Sequence, residues 1–369
     1  MAGARANAAG SVYEADCLTP SQWDREVAGF ADASLDQTAL YADALRGARR
    51  NSHIVVRSGG GIVAAARVFV LAAPLVPAGL AYVKFGPMWR RKGAAQDIGA
   101  LRAAVEALVA EYCERRRLHL SVALRPSAAV NRIEGEVLSG AGFRLRGPSR
   151  DPHRYLVRVD ADRERARGSL AQKWRYNLKK AEAVGLEIGF ADDPAGIERF
   201  TRLHAAMVAR KKASAGDPVH LLPQLAGLPE PIRPRVVLAW HEGSPVCGAV
   251  IAVFGDTAYY LWGASDDRAL PLNAGYALHW WILGWLATTG TQAYDLGGEV
   301  GAEGLRQFKK GLVGRDGDIV EMPGEFVLCN SAASRLFAGG LFHTRALLGT
   351  FNTSLNKASA RLAGAKRPT

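Results

Sequence analysis

Three stretches of the chain hold residue types whose spacing suits phosphate or acyl chemistry. The first, Tyr294-Asp295-Leu296-Gly297-Gly298, sets a carboxylate beside paired glycines. The second, Gly304-Leu305-Arg306-Gln307-Phe308-Lys309-Lys310-Gly311, carries two adjacent amines on an expected short helix. Glycines after a strand free the backbone to approach a ligand, and a helix opening near Gly304 would aim N–H groups at an anion. Lys309 or Lys310 is then placed to neutralise a phosphate, although a glycine turn with two surface lysines fits the same spacing. The run lacks the G-x-x-x-x-G-K-[ST] spacing of a nucleotide-hydrolase loop, and Gly59-Gly60-Gly61 reads as a hairpin turn, not a dinucleotide fingerprint. As a general base Asp295 is the best positioned carboxylate, with His204 and Glu299 behind it; each also reads as structural. No Ser or Cys sits in a nucleophile elbow, and Cys247, in Val246-Cys247-Gly248, reads as core.

The third stretch is basic. Between Arg144 and Lys180, twelve cations face four carboxylates, which places +8 of the chain's +12 in a tenth of its length. On a helix over 170–184, Lys173, Asn177 and Lys180 share one face and Arg175 and Lys179 an adjacent one, while Leu170, Trp174, Leu178 and Ala181 can pack. A helix anchored by Trp174 and presenting fixed cations suits a polyanion; a solvated linker and helix face is the plainer reading.

These residues need elements to position them. The 369 residues are 49% apolar and 22% charged, near the globular average, which argues against a disordered, collagen-like or disulfide-scaffold protein. Cys17, Cys113, Cys247 and Cys329 lie too far apart for a zinc knuckle or redox pair and read as reduced thiols. Strands are expected at 52–57 and 62–71, an amphipathic helix over 94–117 with the stripe Leu101, Val105, Leu108, Val109 and Tyr112, a strand at 119–124, a helix over 130–139 and a strand from Phe143. A second cycle follows: helix 170–184, strand 186–190, helix 197–212, a Pro-rich loop with a short helix at 221–225, and strands 236–240, 246–254 and 257–262. The last two are joined by the tight turn Gly255-Asp256. A buried helix 272–287, a strand 292–296, a short helix 305–310, a final strand 319–328 and a mostly helical 331–363 complete it. Two tandem mixed α/β units are expected at 12–150 and 151–330, with a C-terminal helix and basic tail over 331–369. Met1 to Ser11 has no apolar core of a secretory signal, and the most apolar window, 276–287, falls short of the roughly 20 residues a span requires. A soluble, cytoplasmic protein is expected.

Taken in order, Trp174-Arg175-Tyr176-Asn177-Leu178-Lys179-Lys180-Ala181 with Gly185, Leu203-His204 with Arg210, Tyr260-Leu261-Trp262-Gly263-Ala264, Tyr294 to Gly298 and Phe308-Lys309-Lys310-Gly311 match the Fem family. The chain resembles these aminoacyl-tRNA-dependent aminoacyltransferases, which build peptidoglycan cross-bridges, and their FemAB-like relatives in the GNAT superfamily. Tyr82-Val83-Lys84-Phe85-Gly86-Pro87 resembles the family's N-terminal Tyr and Gly-Pro stretch, so the likeness runs from about residue 20 to 330. It implies an α/β (mixed) fold of two tandem GNAT-like acyltransferase domains, a cleft between them for the acceptor, and an aminoacyl-tRNA 3′ end as donor and co-substrate, with no cofactor. Carried over by position, Lys309 resembles the family lysine that faces the terminal tRNA phosphates, with Phe308 beside it and Lys310 next. Arg175 and Tyr82 would fall near the acceptor cleft, and Asn177, Lys179, Arg210 and Tyr260, from the same motifs, join them as substrate-binding candidates. The chain lacks the long charged heptads of a coiled-coil arm, so a compact, armless monomer is expected. The motifs do not separate cell-wall members from those of natural-product or envelope-export pathways.

An aminoacyl ester is already activated, so its transfer to an amine needs proximity, a proton acceptor and oxyanion stabilisation, but no covalent enzyme intermediate. The expected activity is transfer of an amino acid from aminoacyl-tRNA to an amine on a peptidoglycan precursor or small molecule. The alternative, an acyl-CoA-dependent N-acyltransferase, needs a Q/R-x-x-G-x-G/A pyrophosphate loop; Arg268-Ala269-Leu270-Pro271-Leu272-Asn273-Ala274-Gly275, in the corresponding place, does not fit it. A non-catalytic RNA-binding protein is the third reading, and no RRM, KH or zinc-knuckle signature supports it.

Overall fold

The computed structural model describes residues 5–6, 12–73, 76–127, 131–147, 149, 152–211, 217–298 and 303–341. The first unit runs β1 (Arg5–Ala6), β2 (Val12–Ala15), α1 (Pro20–Val27), α2 (Ala39–Arg46), β3 (Asn51–Ser58), β4 (Gly61–Ala72), β5 (Gly79–Lys84), α3 (Ile98–Leu108), β6 (His119–Ala123), α4 (Asn131–Gly140) and β7 (Arg144–Arg146). The second runs β8 (His153–Arg158), α5 (Arg163–Ser169), α6 (Gln172–Val184), β9 (Glu187–Phe190), α7 (Pro194–Lys211), α8 (Leu222–Leu225), β10 (Arg235–His241), β11 (Ser244–Phe254), β12 (Thr257–Ser265), α9 (Ala274–Ala287), β13 (Ala293–Gly298), α10 (Glu303–Val313) and β14 (Asp318–Glu321); β15 (Glu325–Leu328) follows. Two mixed sheets result, in the orders β1-β2-β3-β4-β5-β6-β15-β7 and β14-β8-β13-β12-β11-β10-β9. Each contains one parallel pair, β5 with β6 and β12 with β13. Such a pair needs a crossover, and α3 and α9 supply them.

The expected final strand is two strands in different sheets. β14 pairs with β8, whereas β15 lies between β6 and β7 in the first sheet. Pro323-Gly324 turns the chain between them, and a Cβ on Gly324 would lie 1.8 Å from the Gly147 carbonyl oxygen, so only glycine fits. A helix over 332–341 continues on the first unit, where Ser334 Oγ accepts from Gly79 N–H and donates to the Arg117 carbonyl. The boundary read at 330 therefore does not separate the units: the chain returns at 325 to finish the first. The remainder of the expected helix and tail, 342–369, lies outside the described residues.

One helix also differs from expectation. The helix from 94 starts instead at α3, where Asp97 caps Gly99 N–H, and beyond Leu108 it widens into a π-helical turn to Arg115. That widening turns Glu111 inward, where Arg115 and Arg116 clasp its carboxylate. The helix expected at 170–184 is present as α6 from Gln172; α5, which was not expected, precedes it across the extended residues Leu170-Ala171, where Arg175 donates to the Leu170 carbonyl.

Strand alternation builds three apolar layers. Ile54 and Val56 of β3 face α3, while Val55 between them faces the second unit. Val250, Ala252 and Phe254 of β11 meet it there, together with Trp23, Phe30, Met88, Phe200 and Trp262. Ala249 and Ile251 face the opposite way, toward α6 and α9. The middle layer is thus shared between the units. A polar knuckle reinforces it: Asp256, in the β11–β12 turn, accepts from Arg90 at 2.7 Å and from buried Arg125 at 3.2 Å.

Three buried histidines tie this core to pH. Burial holds His53 down at about 4, His119 at about 4 and His279 at about 3. His53 Nε2 accepts from Leu18 N–H, a bond that protonation removes. Because the folded values lie below the unfolded value of about 6.5, this stability is complete above about pH 6.5 and is lost as pH falls toward the folded values. Glu134, raised to about 7 by burial, opposes them between its unfolded value and neutrality. Burial also raises the Asp24 and Asp32 carboxyls, so the histidine part is read by difference: relative to His53→Gln, the urea midpoint of the parent should be lower at about pH 5 than at about pH 7.5. A relative midpoint higher at pH 5 would contradict it.

Candidate functional site

The two parallel pairs differ in a way that leaves one opening. β5 and β6 stay in register from Leu80↔His119 to Lys84↔Ala123, and Phe85 N–H continues the ladder to Ala123. β12 and β13 pair only at Thr257↔Ala293, Ala258↔Tyr294 and Tyr259↔Asp295. Beyond that β12 bulges, with Leu261 the extra residue between Tyr260 and Trp262 opposite Ile251 and Val250. β12 then runs on to Ser265 and β13 to Gly298 without a ladder between them. The facing edges of such a splay carry peptide N–H and C=O groups able to bind an acyl or peptide-like group.

Lys309 reaches the end of β13. Its Nζ donates to the Gly298 carbonyl at 2.7 Å and lies 5.9 Å from the Tyr155 ring centroid. The side chain is only 6% exposed, so the amine is held within the structure, whereas Lys310 points to solvent. Gly297 holds φ at +80°, a conformation that favours glycine, and a Cβ there would stand in ordinary contact with Nζ at 3.7 Å. Phe308 packs on Tyr276 (5.0 Å), His279 (5.4 Å) and Trp174 (5.8 Å). His279 in turn meets Tyr260 edge-on at 4.9 Å, and its Nδ1 shares a 3.0 Å hydrogen bond with the Tyr294 hydroxyl. Burial, then the neighbouring Lys309 charge, hold His279 neutral. One fixed cation thus stands beside an aromatic wall at the mouth of the splay.

Asp295 does not fit the role of base. It is 1% exposed, and both oxygens are engaged: Arg154 Nη2 donates to Oδ2 at 2.7 Å, and Gly297 N–H donates to Oδ1 at 2.8 Å. It anchors the glycine turn under Lys309. Arg154, counted above with the solvent-facing cations, is therefore a structural partner whose guanidinium also lies 5.8 Å from the Phe85 ring centroid in the first unit. Phe85 holds φ at +55°, a conformation uncommon for a non-glycine residue, between Tyr82-Val83-Lys84 and Gly86-Pro87. Buried Gln37 supports that run, accepting from Arg67 N–H and donating to the Lys84 carbonyl. His204 stacks on Phe200 with Nε2 3.8 Å from Asp217, and Glu299 lies outside the described residues.

The other candidates divide. Ala81 and Val83 point into the first core, so Tyr82 and Lys84 occupy the sheet face toward the second unit, where Lys84 pairs with Asp36 at 3.1 Å. Tyr260 lies at the splay, and a Cβ on Gly263 would meet its hydroxyl at 1.7 Å, which explains glycine in that motif. Arg175, in contrast, donates to the Gly168 and Leu170 carbonyls at the α5–α6 junction, a structural use. Arg210 is engaged with Asp267 and the Ser265 carbonyl at the far end of β12. Asn177 is half-buried and Lys179 exposed on α6. The basic run is not one surface: β7 edges the first sheet, β8 lies within the second, and Arg167 is paired with Glu182. Cys247 is buried, its thiol raised to about 12 by desolvation, which is no nucleophile.

Sequence reasoning missed Arg154 and His279. Strand alternation was the available signal for Arg154, since Tyr155 and Val157 face the core. Nothing local marks His279, which reads as one polar residue in an apolar helix. Gly311 joins two motifs: a Cβ there would fall 2.9 Å from Trp174 Cδ1. Gly311→Ala should therefore push α10 from α6 and lower stability by about 1–3 kcal/mol, read as a lower urea midpoint at unchanged slope. An unchanged midpoint would show that the contact yields freely.

Residues 168–310 match the family model described as an acetyltransferase (GNAT) domain. No curated protein matches the chain in sequence. Among solved structures, the crystal structure of FemX is similar at 16% identity, with 86% of this chain and 97% of that one covered and a TM-score of 0.69. A conserved protein of unknown function from Bacteroides thetaiotaomicron is similar at 11% identity, covering 89% and 99%, with a TM-score of 0.58. The C-terminal domain of a putative lysylphosphatidylglycerol synthetase from Agrobacterium fabrum is similar at 15% identity, covering 74% and 84%, with a TM-score of 0.52. At such identities the likeness is one of fold. Two tandem GNAT-like units, the second an acyltransferase-type domain, are what these comparisons and the strand order agree upon.

Proposed function

We infer that this chain, Fem-like in fold and carrying a GNAT acyltransferase domain, transfers an aminoacyl group from aminoacyl-tRNA to an amine acceptor and forms an amide bond. The observation that supports this most is the enclosed amine of Lys309 beside the splay between β12 and β13. A cation held there suits a phosphate at the end of the donor, and the splay suits the aminoacyl group that the phosphate precedes. The acceptor amine attacks the ester carbonyl, the new C–N bond forms, and the C–O bond to the terminal ribose breaks. The proton lost by the amine ends on the departing ribose hydroxyl. With Asp295 occupied by Arg154 and Gly297, that transfer runs between the substrates, and the protein's part is to orient them.

The loop before α9 disfavours a CoA donor. Asp266 Oδ1 already accepts from the Arg268 and Ala269 N–H groups, and the N–H groups of Leu272, Asn273 and Ala274 go to nearby carbonyls. A pyrophosphate would find those amides taken and a carboxylate beside it. The test is product formation with charged tRNA against an acyl-thioester, using candidate amines and mass spectrometry. Amide that forms only with charged tRNA, and is abolished by ribonuclease, supports the reading. Equal product from the thioester without RNA overturns it.

A further inference from the structure

Helix α9 is apolar on every side, a pattern that normally marks a fully buried helix. Here one face stays open. Leu278, Ile282, Leu283 and Leu286 are buried against the sheet, but Trp280, Trp281 and Trp285 remain partly exposed around a groove of about 480 Å³. Leu186 and Ile188 of the β9 segment and Ala181 of α6 form its other wall, and Arg163 stands at its rim. The glycine in the middle of α9 has a use here: a Cβ on Gly284 would come within 3.3 Å of Arg163 Nη1, so its absence admits the guanidinium.

Two residues of the groove lining are charged, Arg163 and Glu182. Arg163 Cζ stands over the Trp280 ring, 3.6 Å from its centroid, and Nη2 donates to the Trp280 carbonyl, while Nη1 is buried with no hydrogen-bond partner among the described residues. Arg167 lies 5.5 Å from the same ring and is matched by Glu182. Arg165, farther along α5, is matched by Asp160 and Asp316, so Arg163 is the groove cation that forms no ion pair among the described residues. Indoles bordered by arginines form the pairing that favours a bilayer interface, with rings at the headgroup level and cations on anionic lipid. Base stacking suits the groove less well. Arg163 already covers Trp280, and Phe190 meets the Trp281 and Trp285 rings edge-on at 5.2 and 5.1 Å, which leaves few ring faces for a base.

We propose that this tryptophan groove, rimmed by Arg163, docks the protein on an anionic lipid bilayer, with an acyl chain lodged against α9 and a lipid phosphate on the arginine. No described helix is long and apolar enough to cross a membrane, so the attachment is peripheral. It is independent of the donor reading, since vesicle association needs no substrate.

The experiment is co-sedimentation of the full chain with vesicles of phosphatidylcholine plus phosphatidylglycerol and of phosphatidylcholine alone, with tryptophan fluorescence read against acyl-brominated lipid. Of the eight tryptophans, Trp23, Trp89, Trp174 and Trp262 are buried, so quenching would report chiefly on the groove. Association with the anionic vesicles, quenching by brominated chains, and at least about a tenfold weakening by Trp281→Ala with Trp285→Ala are expected. Phe190→Glu, at a rim position 37% exposed, tests the same face without emptying the core and should weaken association similarly. No association, or association that both variants leave intact, overturns the proposal. So does a loss of RNA binding instead of vesicle binding in those variants.

Discussion

Replacing Lys309 by methionine should lower kcat/KM for charged tRNA by about 10²–10³-fold, the usual effect of removing one preorganised charge from a site. Methionine keeps most of the side-chain volume in a position that is 6% exposed, which alanine would leave as a cavity. The loss of the Nζ bond to the Gly298 carbonyl should itself cost about 1.5–3 kcal/mol of stability. Activity and melting temperature should therefore separate, the first collapsing while the second falls modestly. The salt dependence of tRNA binding adds a second readout: one phosphate contact removed should make the slope shallower by about one unit. Activity within about threefold of the parent, or a loss of fold that accounts for the loss of turnover, would leave Lys309 a structural lysine.

Asp295→Ala should be the most destabilising single change near the site. It removes the carboxylate to which Arg154 Nη2 donates in a largely enclosed position and frees the Gly297 N–H that the carboxylate had accepted. Breaking a buried pair on one side costs about 3–5 kcal/mol. A large drop in the urea midpoint is expected, with Asp295→Asn retaining part of the stability because an amide oxygen can still accept. The kinetic expectation runs the other way from a catalytic base. In Asp295→Asn, the pH profile of the remaining activity should keep the parental shape, because the group that titrates is elsewhere. A profile that loses its acidic limb in that variant would restore Asp295 as the base.

Much of the fold was legible because it rests on local rules. The turn Gly59-Gly60, with φ of +57° and +83°, is where glycine spacing placed it between β3 and β4. The Leu101, Val105, Leu108 and Tyr112 stripe is buried, as a helical period requires. The strand read through 319–328 ran over Pro323-Gly324, a local turn signal. The rest of what failed was non-local: no local pattern says that the residues beyond that turn pair with β6 and β7 and do not extend β14. Likewise the Gly255-Asp256 hairpin was visible as a turn, but not as the knuckle that Arg90 and Arg125 grip across the units.

The site divides along the same line. The sequence by itself determined that Trp174, Tyr260, Asp295, Gly297, Phe308 and Lys309 belong to motifs of one family resemblance, and that the chain alternates strands and helices twice. Residue types and spacing carry that much, because periodicity and glycine placement are local properties. Only the tertiary structure decided that Asp295 is spent on Arg154, that Arg175 serves a helix junction, and that Lys309 rather than Lys310 is the enclosed amine. It also decided that the splay opens in the second unit and stays closed in the first. Each depends on which groups meet across tens to hundreds of residues, and a carboxylate or a cation acquires its role from the partner it meets in space.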